Sequence, residues 1–186
     1  MQDFQVARRA MIDSQLRPEG VTRPLVLAAM ARLPREDFVP VEARPFAYFD
    51  RSIPLPNGRA MMPPAALGRL LNELDPQPGL RALVVDPASG YPAAVLRDIG
   101  LTVDEGDGSE QGSYDVILID GAIEELPGSF AGLFAQDGRI GTALIDRGVT
   151  RLAIGVRAGK GVAFRTLADA DVAQLARFRR PAAFTF

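Results

Sequence analysis

The chain contains no cysteine and no histidine. Without cysteine there is no disulfide framework and no thiolate zinc site, and without histidine a transition metal would have to rest on carboxylates alone, so no structural metal is expected. The missing histidine also removes the one side chain whose ordinary pKa lies near neutrality, and general acid–base work at pH 7 would need a strongly shifted carboxylate. A surplus of basic charge is lacking too: 21 Lys and Arg stand against 23 Asp and Glu, for a net charge of −2, with no basic block to neutralise phosphates. Nucleic acid is therefore not an expected partner. No run approaches the ~20 apolar residues of a membrane span, and the first residues lack the basic flank and apolar core of a secretory signal. The expectation is a cytoplasmic protein with no membrane partner.

What is present suits one compact domain. In 186 residues, 47% hydrophobic content is ample for a buried core. Asp3 can cap a helix running to about Leu16, which Arg17-Pro18-Glu19-Gly20 breaks; Thr22 can cap a second helix, with Pro24 in its first turn and Pro34 ending it. From Phe38 to Pro64 the prolines at 40, 45, 54, 56, 63 and 64 predict a surface wrap without regular structure. Leu67, Leu70, Leu71 and Leu74 then share one helical face, which should cover a sheet.

The sheet begins at Ala82-Leu83-Val84-Val85, followed by a helix from Ala93 to Ile99 and a weak strand at Thr102-Val103. Tyr114 to Ile119 is the strongest strand, apolar without alternation in the way of strands buried on both faces. A helix near Ser129 to Phe134 and a strand from Arg139 to Ile145 follow, and this alternation means a largely parallel, doubly wound sheet. Leu152 to Arg157 and Val162 to Thr166 flank Ala158-Gly159-Lys160-Gly161 as an antiparallel hairpin, with a short helix from Asp169 to Arg179 and a last strand from Ala182 to Phe186. The division expected is an N-terminal helical extension over residues 1–75, packed on a Rossmann-like core over 76–186.

Several stretches, in order and along the whole chain, carry a resemblance. They are Met11-Ile12 with Gln15, Val26-Leu27-Ala28-Ala29-Met30, Pro34-Arg35-Glu36-Asp37-Phe38-Val39-Pro40, Ala47-Tyr48 with Asp50, Pro54-Leu55, Ser89-Gly90-Tyr91 with Ala93-Ala94-Val95-Leu96, Gly106-Asp107-Gly108, Tyr114-Asp115-Val116-Ile117, and Gly138-Arg139. Together they resemble the protein-L-isoaspartate O-methyltransferase family. The resemblance implies a Rossmann-like methyltransferase sheet with a reversed C-terminal hairpin, S-adenosylmethionine as cofactor, and methylation of isoaspartyl carboxylates in damaged proteins or peptides. Such chemistry evades the missing histidine, because an ionised carboxylate is already a nucleophile and positioning does most of the work.

Three departures stand against that pattern. The family's three alternating glycines are represented by Asp86-Pro87-Ala88-Ser89-Gly90-Tyr91, where only the last glycine remains and Pro87 has no N–H to offer. Ala60 stands at the family's threonine and Met62 at its active-site serine; methionine cannot donate the hydrogen bond that orients a carboxylate, and both Met61 and Met62 read as core filling. Finally, Ile99-Gly100 leads almost at once to Gly106-Asp107-Gly108, so one strand–helix unit of roughly 25 residues is missing by typical element lengths. A strand edge left open by that loss could pair with a second copy in a homodimer.

The expected cofactor contacts are Asp86, Ser89, Gly90, Tyr91 and Glu105, the last as a ribose ligand if its strand counts as the second. Asp120, Gly121 and Ala122 end the strongest strand where doubly wound sheets place ligands, and are the expected substrate contacts. The losses predict a family scaffold with weak or lost methyl transfer, acting as a binding module without cofactor; the alternative is an active carboxyl methyltransferase.

Overall fold

The computed structural model describes residues 3–180. Asp3 starts the first helix, α1 (Phe4–Met11), by accepting the amides of Gln5 and Val6 at 3.0 and 3.2 Å. The helical path continues through Leu16 as a wider π-turn, Ile12–Leu16, that buries Ile12 and Leu16. The second helix, α2 (Pro24–Arg32), is not capped by Thr22 as expected. Its free amide end is satisfied from outside, because Asn72 Oδ1 accepts the N–H groups of both Thr22 and Arg23.

The proline-rich stretch wraps as predicted, but it is not without regular structure: it contains 3₁₀ turns and a small antiparallel pair, β1 (Ile53–Pro54) with β2 (Ala60–Met61). Ala47, Tyr48, Ile53, Met61 and Met62 pin it to the core. Helix α3 (Pro64–Leu74) buries all four of its leucines.

The main sheet contains β3 (Arg81–Val85), β4 (Thr102–Gly106), β5 (Tyr114–Ile123), β6 (Phe134–Asp146), β7 (Val149–Ala158) and β8 (Gly161–Asp169), in the order β4-β3-β5-β6-β7-β8. The first four run parallel, and β7 and β8 return antiparallel as the expected reversed hairpin. Helix α4 (Tyr91–Ile99) joins β3 to β4 and ends at Gly100, where φ is +107°. Alternate residues of the central strands enter two separate cores. Ala82, Val84, Val116 and Leu118 pack under the helices, whereas Leu83, Val85, Ile117 and Ile119 face Phe130, Leu133 and Phe178 on the other side. Burial on both faces is why these strands read as unbroken apolar runs.

Two expected helices are absent. Gly128–Leu133 is a 3₁₀ turn, since Pro127, Gly128 and Gly132 disfavour a longer helix and β6 takes the chain from Phe134 onward. The predicted helix from Asp169 to Arg179 is replaced by extended chain with one 3₁₀ turn, Ala176–Phe178, because backbone pairing to the end of β5 outbids helical propensity there. The strand predicted from Ala182 lies outside the described residues.

Candidate active site

The chain leaves β3 for β4 on one side of the sheet and then crosses to β5 on the other, so the strand order reverses between β3 and β5. Open α/β sheets bind ligands at the carboxyl ends of strands at such a point. Val85 pairs with Ile119 there, which brings the next residues, Asp86 and Asp120, side by side.

Asp86 takes a left-handed backbone, φ +53°, in place of the first glycines of the family pattern, and aspartate tolerates that region better than most residues. Its amide donates to the Gly106 carbonyl at 2.9 Å. The turn then offers few free donors. Pro87 has none and instead accepts from the Arg59 guanidinium, while the Ala88 N–H is taken by Asp120 Oδ2 at 2.9 Å. Ser89 Oγ accepts the Tyr91 amide at 3.2 Å, and Gly90, at φ +75°, leads into α4.

Asp120 is buried, and its Oδ1 has no hydrogen-bond partner. Burial pushes its carboxyl up to about 6, against the Ala88 amide and the nearby cations of Arg35 and Arg59, which pull it down. Asp86 meets Arg177 at 3.4 Å through Oδ1, while its Oδ2 is buried and unpaired. These groups border a cavity of about 240 Å³, lined by Gly58, Arg59, Ala60, Asp86, Ala88, Asp120 and residues 173–177.

Residues 173–178 form a strap across the end of β5. Ala122 donates to the Ala173 carbonyl and accepts from the Leu175 amide, both at 2.8 Å, and the Phe178 carbonyl accepts the amides of Glu124 and Glu125. Phe178 anchors the strap edge-on against Phe130, with ring centroids 6.0 Å apart. A Cβ at Gly121 would lie 2.5 Å from Leu175 Cγ, so glycine is required for this close approach. Gly121→Ala is expected to destabilise the protein by about 1–2 kcal/mol, the lower part of the overpacking range because the leucine tip can yield. Combining it with Leu175→Ala should recover part of that loss in a thermal-melt double-mutant cycle, whereas strictly additive losses would refute the contact.

The structure thus brings together Asp86 and Asp120 with Ala60, but not the other predicted contacts. Gly121 and Ala122 lie beneath the strap. Ser89 and Gly90 stay in the turn beside the cavity. Tyr91 is fully buried, its ring 5.0 Å from the Arg35 guanidinium and 5.2 Å from Phe38, and burial pushes its phenol up to about 12. Glu105 sits on β4, which does neighbour β3 as a second strand, but its carboxylate is held by Arg97 at 2.7 Å. Met62 is buried in the core and contributes only its carbonyl, to Arg35. Sequence reading missed Arg59 and the strap; the sole signal was an arginine, Arg177, amid an otherwise apolar Leu175-Ala176-Arg177-Phe178 stretch.

Residues 7–105 match the family model for protein-L-isoaspartate(D-aspartate) O-methyltransferase. The protein-L-isoaspartate O-methyltransferase of Koribacter versatilis is 32% identical, with 74% of this chain and 76% of that protein covered. The chain belongs to the protein-L-isoaspartate O-methyltransferase family. The enzyme of the same name from Aeropyrum pernix is 46% identical over 52% of this chain, a match that spans only 37% of that protein's length.

Solved structures agree on the fold. A protein-L-isoaspartate O-methyltransferase from Plasmodium falciparum, crystallised with S-adenosyl-L-homocysteine, superposes with a TM-score of 0.72 at 15% identity, covering 95% of this chain and all of that one. A second structure of the family gives 0.74 at 15% identity over 91% of this chain and 66% of that one. The expected methyltransferase-type α/β sheet is therefore confirmed. The relatives are named as methyltransferases, and the comparisons favour the active alternative over the expected loss of transfer. No helix among the described residues is long and apolar enough to cross a membrane.

Proposed function

We propose that this chain is an S-adenosylmethionine-dependent methyltransferase acting on a carboxylate of a protein or peptide, of the isoaspartyl-repair kind. The observation that carries the reading is the charged cavity at the switch point, bordered by Asp86, Asp120 and two arginines. S-adenosylmethionine supplies an electrophilic methyl group, which an ionised carboxylate can take without a proton having to move. That suits a site with no histidine.

The residues present fit the charged end of such a cofactor. The unpaired oxygens Asp86 Oδ2 and Asp120 Oδ1 suit a cationic group, and Asp120 is mostly ionised above pH 6. At about 240 Å³ the cavity is smaller than the ~300–1,000 Å³ of ordinary small-molecule sites, so it encloses part of a nucleoside-sized molecule, and the rest would lie over Ser89 and Gly90. Asp86 and Asp120 would hold the cation, Ser89 and Gly90 would border the remainder, and the strap would exclude water from one side.

A second reading, a binding module with weak or lost transfer, draws on the β3–α4 turn, whose Ala88 amide is already spent on Asp120. One pair of measurements separates the two: calorimetric titration with S-adenosylmethionine or its demethylated product, and methyl incorporation into an isoaspartyl peptide. Micromolar binding with base-labile methyl ester on the peptide is expected. Silence at millimolar cofactor, with no ester formed, would overturn methyl transfer in favour of the module.

A further inference from the structure

Two cations in the cavity have no role in the family pattern quoted above. Arg59 leaves the 3₁₀ turn Pro56–Gly58 and spends one donor on the Pro87 carbonyl. Arg177 comes from the strap, and its Nη1 and Nη2 reach Asp86 Oδ1 and the Asp107 carbonyl. A guanidinium carries five N–H donors, so both side chains retain donors for a ligand. The Arg177–Asp86 contact is also long, at 3.4 Å, and Arg177 is 39% exposed. A carboxylate entering the cavity could make the shorter, two-pronged contact that arginine favours.

The need for such a group is also visible. Met62, at the position where the family pattern has a serine, is buried in the core, so its side chain cannot orient a substrate. The charge of the cavity narrows the ligand: Asp86 and Asp120 would repel a phosphate dianion more strongly than a single carboxylate. We propose that Arg177, with Arg59 also lining the cavity, is the specificity-determining residue that recognises the carboxylate of an acidic peptide segment. The catalytic consequence rests on the methyltransferase reading above; the binding does not.

The test uses the full chain and a short peptide containing one L-isoaspartyl residue, beside the same peptide with that carboxylate converted to an amide. Binding is followed by fluorescence anisotropy without cofactor. The acid peptide should bind the wild type at least tenfold more tightly than the amide. Arg177→Gln should erase that preference while leaving amide binding unchanged, and Arg177→Lys should restore only part of it, because an ammonium cannot reproduce the planar fork. Arg59→Gln, which leaves the ion pairs of Arg177 with the Asp86 and Asp107 carboxylates at 3.4 and 3.8 Å in place, should weaken the preference severalfold and guards against a strap that has merely come loose. In the methylation assay Arg177→Gln should raise KM for the peptide more than it lowers kcat.

No preference in the wild type, or an undiminished preference in both glutamine variants, would overturn the proposal. Arginine-dependent peptide binding without any methyl ester would instead defeat methyl transfer and leave the carboxylate site standing. Ester formation insensitive to both substitutions would do the reverse.

Discussion

Arg35→Ala is expected to lower the free energy of unfolding by about 3–5 kcal/mol, from two buried carbonyls left without donors at about 1–3 kcal/mol each together with the lost packing of a large side chain. Arg35 is fully buried. Its Nε donates to the Ala47 carbonyl at 2.7 Å, its Nη2 donates to the Met62 carbonyl, and its guanidinium lies over the Tyr91 ring. One side chain therefore ties two points of the proline-rich wrap to the first turn of α4. Alanine would leave two buried carbonyls without donors as well as a void, and each unsatisfied group carries its own desolvation penalty.

Arg35 itself is not comfortable. Burial lowers its pKa, with partial compensation from Tyr91, Asp120, Tyr48 and Asp50, and Nη1 has no partner. Arg35→Lys should recover only a minority of the loss, since an ammonium cannot span both carbonyls in the plane of the fork. Urea unfolding with an unchanged m-value checks both variants. A loss below about 1 kcal/mol for Arg35→Ala would show that the wrap is held by its apolar anchors alone.

The parts of the fold that the sequence announced are those where local pattern and tertiary environment agree. The apolar runs of β3 and β5 identify themselves because both faces of each strand are covered, and the leucines of α3 because one face is. The sequence pattern marks only two residues of β4, which extends to five, since Asp104 and Glu105 look like a solvated turn until Arg81 and Arg97 are seen to pair with them. The strap failed as a helix because its competitor lies about fifty residues earlier: the unpaired amide and carbonyl of Ala122 are visible only once β5 has a direction. The site was half legible for the same reason. Asp86 and Asp120 announce themselves as carboxylates directly after apolar strand runs, although β5 continues past Asp120 to Ile123, but Arg59 and Arg177 converge on them only through the wrap and the strap, neither of which has a sequence period to follow.

Asp120→Asn should be more stable than the wild type at neutral pH, by an amount that grows as pH rises from about 4 through about 6 and then levels off. The folded carboxyl titrates near 6, against an ordinary value of 3.8, because burial disfavours its charged form. Between those values the folded state holds more proton than the unfolded state, so wild-type stability falls as pH rises from about 4 to about 6 and stays lower above that. A shift of about two units corresponds to about 2–3 kcal/mol. Asparagine can keep its oxygen on the Ala88 amide and removes the buried charge, although its new N–H groups must find partners around the former Oδ1. That second effect does not vary with pH, so the pH-dependent difference between variant and wild type isolates the titration. Melting curves that run parallel from pH 5 to 8 would refute the raised carboxyl. Activity supplies the functional counterpart: if the Asp120 carboxylate must be ionised to hold a cationic group, wild-type kcat/KM should rise through pH 6. Asp120→Asn should lose that rise together with most of the activity, which makes the site's charge at once a stability defect and a working part.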